Sequence, residues 1–326
     1  MRKSQCCGTA IWRIGARRRR CSSCGKKWSV WIAKRGRPVR KNLGRLVEQV
    51  FVDGRSLAQL ARSQGKSRQA LSYRFRQAVK QQLKKGRLPN APAKHGRLIL
   101  VADGLWFRFN KRPWVLYQMA LRPVESDTAV FVDPLLLRGR ESKAGWEMAL
   151  NTIPAKQRGQ ICAFVVDNFS GSSGIAKENG WLLQLCIYHV IAEFKSRLGS
   201  RRPTYVRDSP LRLEAFQLVQ RATKMPNGRE LGTIIARLSQ LAKEPNVHRK
   251  YIDMLREFVR NIDKYRAYRL HPELRLPRTT GSLESAGARM RKLMRRIHGF
   301  SSPRSLRDWS TVHFRTRPAI TCRPAE

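Results

Sequence analysis

The sequence predicts an α/β protein: a mixed-sheet core interrupted by an all-α insertion and preceded by two small modules. Three observations predict it. Between residues 97 and 190, apolar runs of strand type alternate with short helical patterns. In two other stretches, 43–85 and about 191–276, apolar residues recur at helical spacing. Four of the seven cysteines, finally, fall within the first 24 residues.

The bulk numbers narrow the partners. The 326 residues leave room for about two domains and a small module. At 41% apolar, the chain can build a core, which excludes a disordered basic tail. Against 67 Lys and Arg stand only 22 Asp and Glu, a formal net charge of +45. Self-repulsion of that size calls for a polyanion, with nucleic acid first and a membrane surface the weaker alternative. No apolar run reaches the roughly 18–20 residues of a spanning helix. The N-terminal MRKSQCCGTAIWRIG has no apolar signal core, so a soluble, intracellular protein without membrane contact is expected.

Residues 1–35 form a cysteine and arginine module. Cys21-Ser-Ser-Cys24-Gly25 is a knuckle in which two thiolates clamp one Zn²⁺ from a tight turn that the glycine permits. A ribbon needs a second knuckle upstream. In SQCCG, Cys7 takes the second ligand position but Ser4 occupies the first, so Cys6 must substitute or the site has three sulfurs. The candidate ligands of a structural zinc are therefore Cys6, Cys7, Cys21 and Cys24; free thiols in a metal-free relic remain the alternative.

Residues 36–88 open on the basic linker GRPVRKN and then carry three helical patterns: Leu46, Val47, Val50 and Phe51; Leu57, Leu60 and Ala61; Leu71, Phe75, Ala78 and Val79. Ser56 and Ser67 are placed to cap the second and third, with Gly65 between them. That is the layout of a helix-turn-helix with residues 68–82 as the recognition helix. Arg68, Gln69, Ser72, Tyr73 and Arg76 would face DNA; a small bundle with solvated charges is the bland alternative.

LPNAPAKHG, at 88–96, marks a domain boundary. The core's first part, 97–190, reads as strands at 97–109, 114–123 and 128–139, a helix from 142 to about Thr152, a buried strand in ICAFVVDNFSG, 161–171, ending in Asp167, a short helix, and a strand over WLLQLCIYHV, 181–190. Residues 191–276 are the helical, basic insertion. The last segment, 277–326, is expected to be helical and carries PRTTGSLESAGARMRKLMRRIHGF.

Three acids stand out on this basic background. Asp103 and Asp167 each follow an apolar strand run, and Glu284 opens a helix. Buried carboxylates are costly unless paired or metal-bound. Two strand-end aspartates on one sheet edge, joined by a glutamate from a helix across the sheet, make a two-metal site for phosphodiester chemistry. The ordinary reading is that Asp103 caps a turn before Gly104, Asp167 caps the following helix and Glu284 complements a helix dipole. On the helix of Glu284, Met290, Leu293, Met294 and Ile297 form an apolar face, while Arg289, Lys292 and Arg296 form a basic stripe that can lie on phosphates. Trp106 and Trp309 are candidates to stack on a base, although such aromatics are more often core.

In this order and spacing, the motifs resemble a DDE transposase of a bacterial insertion sequence, of the Mutator-like group, in the variant with an N-terminal zinc ribbon and helix-turn-helix. The matching features are ADG at Asp103, VVDN at Asp167, and TTGSLE ending at Glu284, close to the family's Thr-Thr-Asn-x-x-Glu. The family's Cys-x-x-His is matched by Cys186-Ile187-Tyr188-His189. The resemblance covers nearly the whole chain. It implies an RNase H-like core in which Asp103, Asp167 and Glu284 bind two Mg²⁺ or Mn²⁺ ions. His189 would sit nearby, contacting phosphate or ordering the acids, with Cys186 as packing partner; no zinc is expected at that pair. It implies binding of terminal inverted repeats, Mg-dependent strand cleavage and transfer to target DNA, and a dimer or larger assembly on DNA. The setting would be cytoplasmic and nucleoid-associated, in a prokaryote. The insertion accounts for 117 residues between Asp167 and Glu284, against 64 between Asp103 and Asp167. Two departures are Gly281 in place of the family's asparagine and the missing fourth knuckle cysteine. The alternatives are a non-catalytic, domesticated DNA-binding regulator and an RNase H-like nuclease or resolvase.

Overall fold

The computed structural model describes residues 8–13, 16–21, 27–30, 43–85, 96–198, 209–296, 300 and 302–324, the first three segments by backbone alone. The chain divides into two compact units, Met1–Leu46 and Val47–Glu326. In the first, β1 (Gly8–Arg13), β2 (Ala16–Cys21) and β3 (Lys27–Val30) form an antiparallel three-stranded sheet. The expected zinc site falls on Cys6, Cys7, Cys24 and the side chain of Cys21, all outside the described residues.

Three helices follow: α1 (Leu43–Phe51), α2 (Leu57–Ser63) and α3 (Arg68–Lys84). Ser56 caps α2 by accepting from the Gln59 amide at 3.1 Å, and Gln59 Oε1 accepts from the Ser56 amide at 2.9 Å, a reciprocal capping box. Ser67 caps α3 through the Ala70 amide at 3.2 Å. Gly65, at φ +58°, turns the chain between them. The apolar positions point inward: Leu60, Leu71, Phe75 and Val79 are buried. Arg68, Gln69, Tyr73 and Arg76 are exposed and Ser72 half-buried, so the expected DNA-facing set shares an open face of α3.

The core holds a seven-stranded sheet: β4 (Leu98–Phe109), β5 (Arg112–Pro123), β6 (Thr128–Phe131), β7 (Leu135–Arg138), β8 (Ile161–Val166), β9 (Leu182–Leu185) and β10 (Ala319–Thr321). Its order is β10-β6-β5-β4-β8-β9, with β7 also on β5. β4, β5 and β6 are antiparallel; β8 and β9 run parallel to β4. Parallel strands need crossovers. These are α4 (Lys143–Leu150) with α5 (Ala155–Arg158), and α6 (Ser172–Glu178).

Helices cover both faces of the sheet, and two glycines let them close in. Gly104 and Tyr117 pair across β4 and β5 and so share a face. There Gly145 of α4 lies so near Tyr117 that a Cβ would stand 2.0 Å from the hydroxyl, and Trp146 meets the Tyr117 ring edge-on at 4.8 Å. Leu105 points the other way. On that side a Cβ on Gly287 of α13 (Gly281–Arg296) would stand 2.8 Å from the leucine.

Between β9 and α13 lie α7 (Ile187–Ser196), α8 (Ser209–Lys224), α9 (Arg229–Leu241), α10 (Arg249–Arg260), α11 (Ile262–Tyr265) and α12 (Ala267–Leu270). Among the described residues, the stretch expected to be helical, 191–276, is so. Its buried arginines reach backbone carbonyls. Arg266 donates to the carbonyls of Ala222 and Met225, and Arg212 to that of Arg197. Arg122 of β5 does the same: it is fully buried and donates to the carbonyls of Cys322, Leu274 and Arg275.

α14 (Pro303–Thr316) fastens the α1–α3 helices to the core. Trp309 sits edge-on to Phe75 at 4.7 Å and to Phe51 at 5.5 Å, so it is a packing residue. Arg315 pairs with Asp133 at 2.5 Å and donates to the Gln82 and Leu83 carbonyls at 3.1 and 3.3 Å; Arg317 reaches the Val52 carbonyl at 3.2 Å. His313 is buried here against Phe51 and Phe314. Burial, then the charges of Arg289 and Arg317, lower its pKa from 6.5 to about 4. The unfolded chain protonates this imidazole at its ordinary 6.5, so between 6.5 and about 4 it binds the extra proton. Stability is therefore expected to fall as pH drops through that window, by on the order of 3 kcal/mol in all. His313→Gln should flatten the melting temperature between pH 6.5 and 4 relative to wild type; parallel profiles would exclude His313 as the cause.

Several expectations need correction. The run 181–190 is not one strand: β9 ends at Leu185, and α7 begins at Ile187 with Cys186 at its N-cap. A run buried on all sides has no period to tell strand from helix. The run 128–139 breaks into β6 and β7 around Pro134, which has no amide to give the ladder. Asp103 is not at a strand end but inside the 12-residue β4, which also removes the turn-cap reading. The C-terminal segment is not all helix: β10 adds to the edge of the sheet beside β6.

Candidate active site

Register explains how two aspartates meet. In the parallel pair of β4 and β8, Val101 faces Val165, and β8 ends one residue later. Continuing two residues puts Asp167 beside Asp103. In β8 and β9, Val166 faces Leu185, so the next step puts Cys186 beside Asp167. Three adjacent strands thus deliver a row, Asp103, Asp167 and Cys186, at about 4.8 Å per strand.

The turn at Cys186 then starts α7, and His189 in its first turn swings back over the row. Its Nδ1 lies 3.8 Å from Asp167 Oδ1 and 3.5 Å from Glu284 Oε1. Glu284 comes from the first turn of α13 on the Leu105 side of the sheet. Thr280 anchors that turn: its amide donates to Cys186 Sγ at 3.3 Å. Its hydroxyl, 3.4 Å from the sulfur and 3.2 Å from Glu284 Oε1, has one proton to give to either. The Ile187 amide donates to the Arg278 carbonyl at 3.0 Å, tying α7 to the approach of α13. Cys186 is thus a buried bracket. The Gly281 amide is held by the Thr279 hydroxyl at 3.3 Å.

The electrostatics follow from this crowding. Asp103 is 7% exposed and accepts from Gln118 Nε2 at 3.3 Å. Burial pushes its carboxyl up to about 6, Glu284 and Asp167 push the same way, and His189 and Arg291 pull it down. For His189, burial works against the charge, but the Cys186 hydrogen bond, Asp167 and Glu284 outweigh it and raise the pKa to about 9.

A fourth acid, Glu141, escaped the reading of the sequence. It precedes α4 and approaches from the Gly104 side. A Cβ on Gly104 would lie 2.7 Å from Glu141 Oε1, so glycine beside Asp103 makes room for this carboxylate. Trp146 donates its indole N–H to Glu141 at 2.8 Å. Burial raises the Glu141 carboxyl against that hydrogen bond, and Asp167 and Asp103 raise it further. Gln118 was legible as the one amide inside the apolar run VLYQMAL; Glu141, in RGRES, had no signal beyond being an acid among arginines.

The basic stripe of α13 sits differently from the acid. At about 100° per residue, Arg291 returns to within about 20° of Glu284, while Arg289, Lys292 and Arg296 stand about 80–140° away. Arg291, not the stripe, couples to Asp103. Arg296 donates to the Gly54 carbonyl at 2.5 Å and so helps hold the turn between α1 and α2. Ile297 lies outside the described residues.

Carboxylate oxygens converging from both faces of a sheet edge are the donors that hard divalent cations take. Cys186, His189 and Glu284 each also offer an atom within 4.8 Å of the others. No family model matches the chain, and no curated protein sequence matches it.

Proposed function

We propose that the chain is a DDE-type DNA transposase. It binds the terminal inverted repeats of its element, cuts a strand at the element end to expose a 3′-OH, and joins that hydroxyl to target DNA by direct transesterification. The observation that carries this reading is the meeting of Asp103, Asp167 and Glu284 around His189, from elements 64 and 117 residues apart in sequence. The strand order, three antiparallel strands followed by two parallel ones on the far side of β4, supports an RNase H-like core. The exposed face of α3 and the net charge of +45 support DNA as partner. No helix among the described residues is long and apolar enough to cross a membrane.

The donor set fits two Mg²⁺ or Mn²⁺ ions: Asp103 carries an ionisation that its surroundings resist, which is the state a bound cation would relieve. Asp103, Asp167 and Glu284 would hold the ions, which supply charge stabilisation for in-line displacement at phosphorus. Glu141 supports the acids from the opposite face. His189 offers a proton donor to a phosphate oxygen, and Thr280 fixes the Glu284 rotamer. Two ends must be paired, so a dimer or larger assembly acts on DNA.

The test mixes purified chain with labelled duplex bearing the DNA ends that flank its gene, in Mg²⁺ or Mn²⁺, beside Glu284→Gln. Nicks at the element boundary and joined products are expected, reduced roughly a thousandfold in the variant, the equivalent of about 4 kcal/mol of barrier. Tight, specific binding without metal-dependent cleavage would overturn the proposal in favour of a non-catalytic regulator.

A further inference from the structure

We infer that the cleft around Trp106, on the Glu141 face of β4, receives an unpaired DNA strand. The identity of the substrate rests on the proposed function; the place rests on the geometry below.

Trp106 is 46% exposed, unusual for the largest apolar side chain. It stands three residues beyond Asp103 in β4, about 10 Å along the strand. With Phe107, Arg108, Lys111, Pro113 and Arg140 it lines a cleft of about 700 Å³. Strand alternation puts Gly104, Trp106 and Arg108 on one face, the face on which Glu141 covers Gly104. Arg140 adjoins Glu141 in sequence, so the cleft borders Glu141, while the Asp103 side chain lies on the other face of β4.

Its cations are not spent on the fold. Among the described residues, no ion pair involves Arg108, Lys111 or Arg140. Lys111 is also held at a conformational cost. The β4–β5 hairpin turns on Asn110 and Lys111, both left-handed at φ +48° and +61°. Glycine is favoured at the second such position, and a side chain there is strained. The turn keeps an ammonium where a glycine would fold better.

An indole face ringed by unpaired cations fits a base stacked on the ring with its phosphates along the charges. Bases inside a duplex have both faces covered by their neighbours, so the platform favours an unpaired nucleotide.

The experiment measures binding of the full chain, in EDTA, to a fluorescein-labelled single-stranded 20-mer of thymidine and to a random duplex of equal length. Trp106→Ala is expected to weaken single-strand binding about tenfold and Trp106→Phe by no more than about threefold. Lys111→Gly should weaken it too, lowering the slope of log K against log salt by about 0.7, with a melting temperature no lower than wild type. Duplex affinity should stay within about twofold of wild type in all three variants, since α3 lies elsewhere. Unchanged single-strand affinity in Trp106→Ala, or equal losses on both DNAs, would overturn the inference. The assay contains no divalent cation, so a chain that binds this way yet never cuts would sink the transposase reading and leave the cleft assignment standing.

Discussion

Asp103→Asn is expected to abolish strand cleavage while making the metal-free protein more stable. The two effects share one cause. Asp103 is buried beside Glu284 and Asp167, and its carboxyl titrates near 6 instead of 3.8. Between those values the folded state holds the proton more tightly than the unfolded chain, so stability falls as pH rises from about 4 to 6, and the deficit persists above. At pH 8 it is on the order of 2–3 kcal/mol. Asparagine keeps the shape and the contact to Gln118 without the charge. The variant should therefore melt higher than wild type at pH 8 and alike at pH 4. Millimolar Mg²⁺ or Mn²⁺ should raise the melting temperature of wild type at pH 8 and leave that of the variant unmoved. A variant that melts below wild type at pH 8 without metal would show that Asp103 is not held against its own charge.

Arg122→Met is expected to give the largest loss of stability. The guanidinium joins β5 to three carbonyls, those of Leu274, Arg275 and Cys322, at the approaches to α13 and β10. Methionine keeps most of the stem but leaves those acceptors without their donor. Each buried, unsatisfied carbonyl costs about 1–3 kcal/mol, and the set about 3–5 kcal/mol. For a unit of this size that lowers the melting temperature by about 10 °C. Lysine should not restore it, because a single ammonium cannot span the fork. A melting temperature within about 2 °C of wild type would show that the carbonyls find other donors.

The sequence made visible what depends on local pattern. Ser56, Ser67 and the helical period of 43–85 placed three helices, because caps and periodicity act within a few residues. The apolar runs placed β4, β5 and β8. The boundary at Cys186 was hidden, since 181–190 is buried throughout and carries no period. β10 was hidden because a three-residue strand is decided by its neighbour β6. At the site, Asp103, Asp167 and Glu284 were visible as acids against a basic background, and His189 through the resemblance alone. Glu141 became recognisable only through a packing relation: the missing side chain of Gly104 and the carboxylate that fills its place belong to segments 37 residues apart.

The docking of α1–α3 onto α13 and α14 has one more consequence. Arg296, Arg315 and Arg317 grip the carbonyls of Gly54, Gln82, Leu83 and Val52, and Trp309 is wedged between Phe51 and Phe75. A reading head fixed this way is a caliper with a set opening. On the proposed reading, the number of base pairs from recognised sequence to broken phosphate is measured by the protein, not by a slack tether. One inserted base pair turns the target phosphate by about 34° around the duplex, and five carry it to the far side. Cutting should fade across such a ladder of spacers while binding to the recognised sequence stays level.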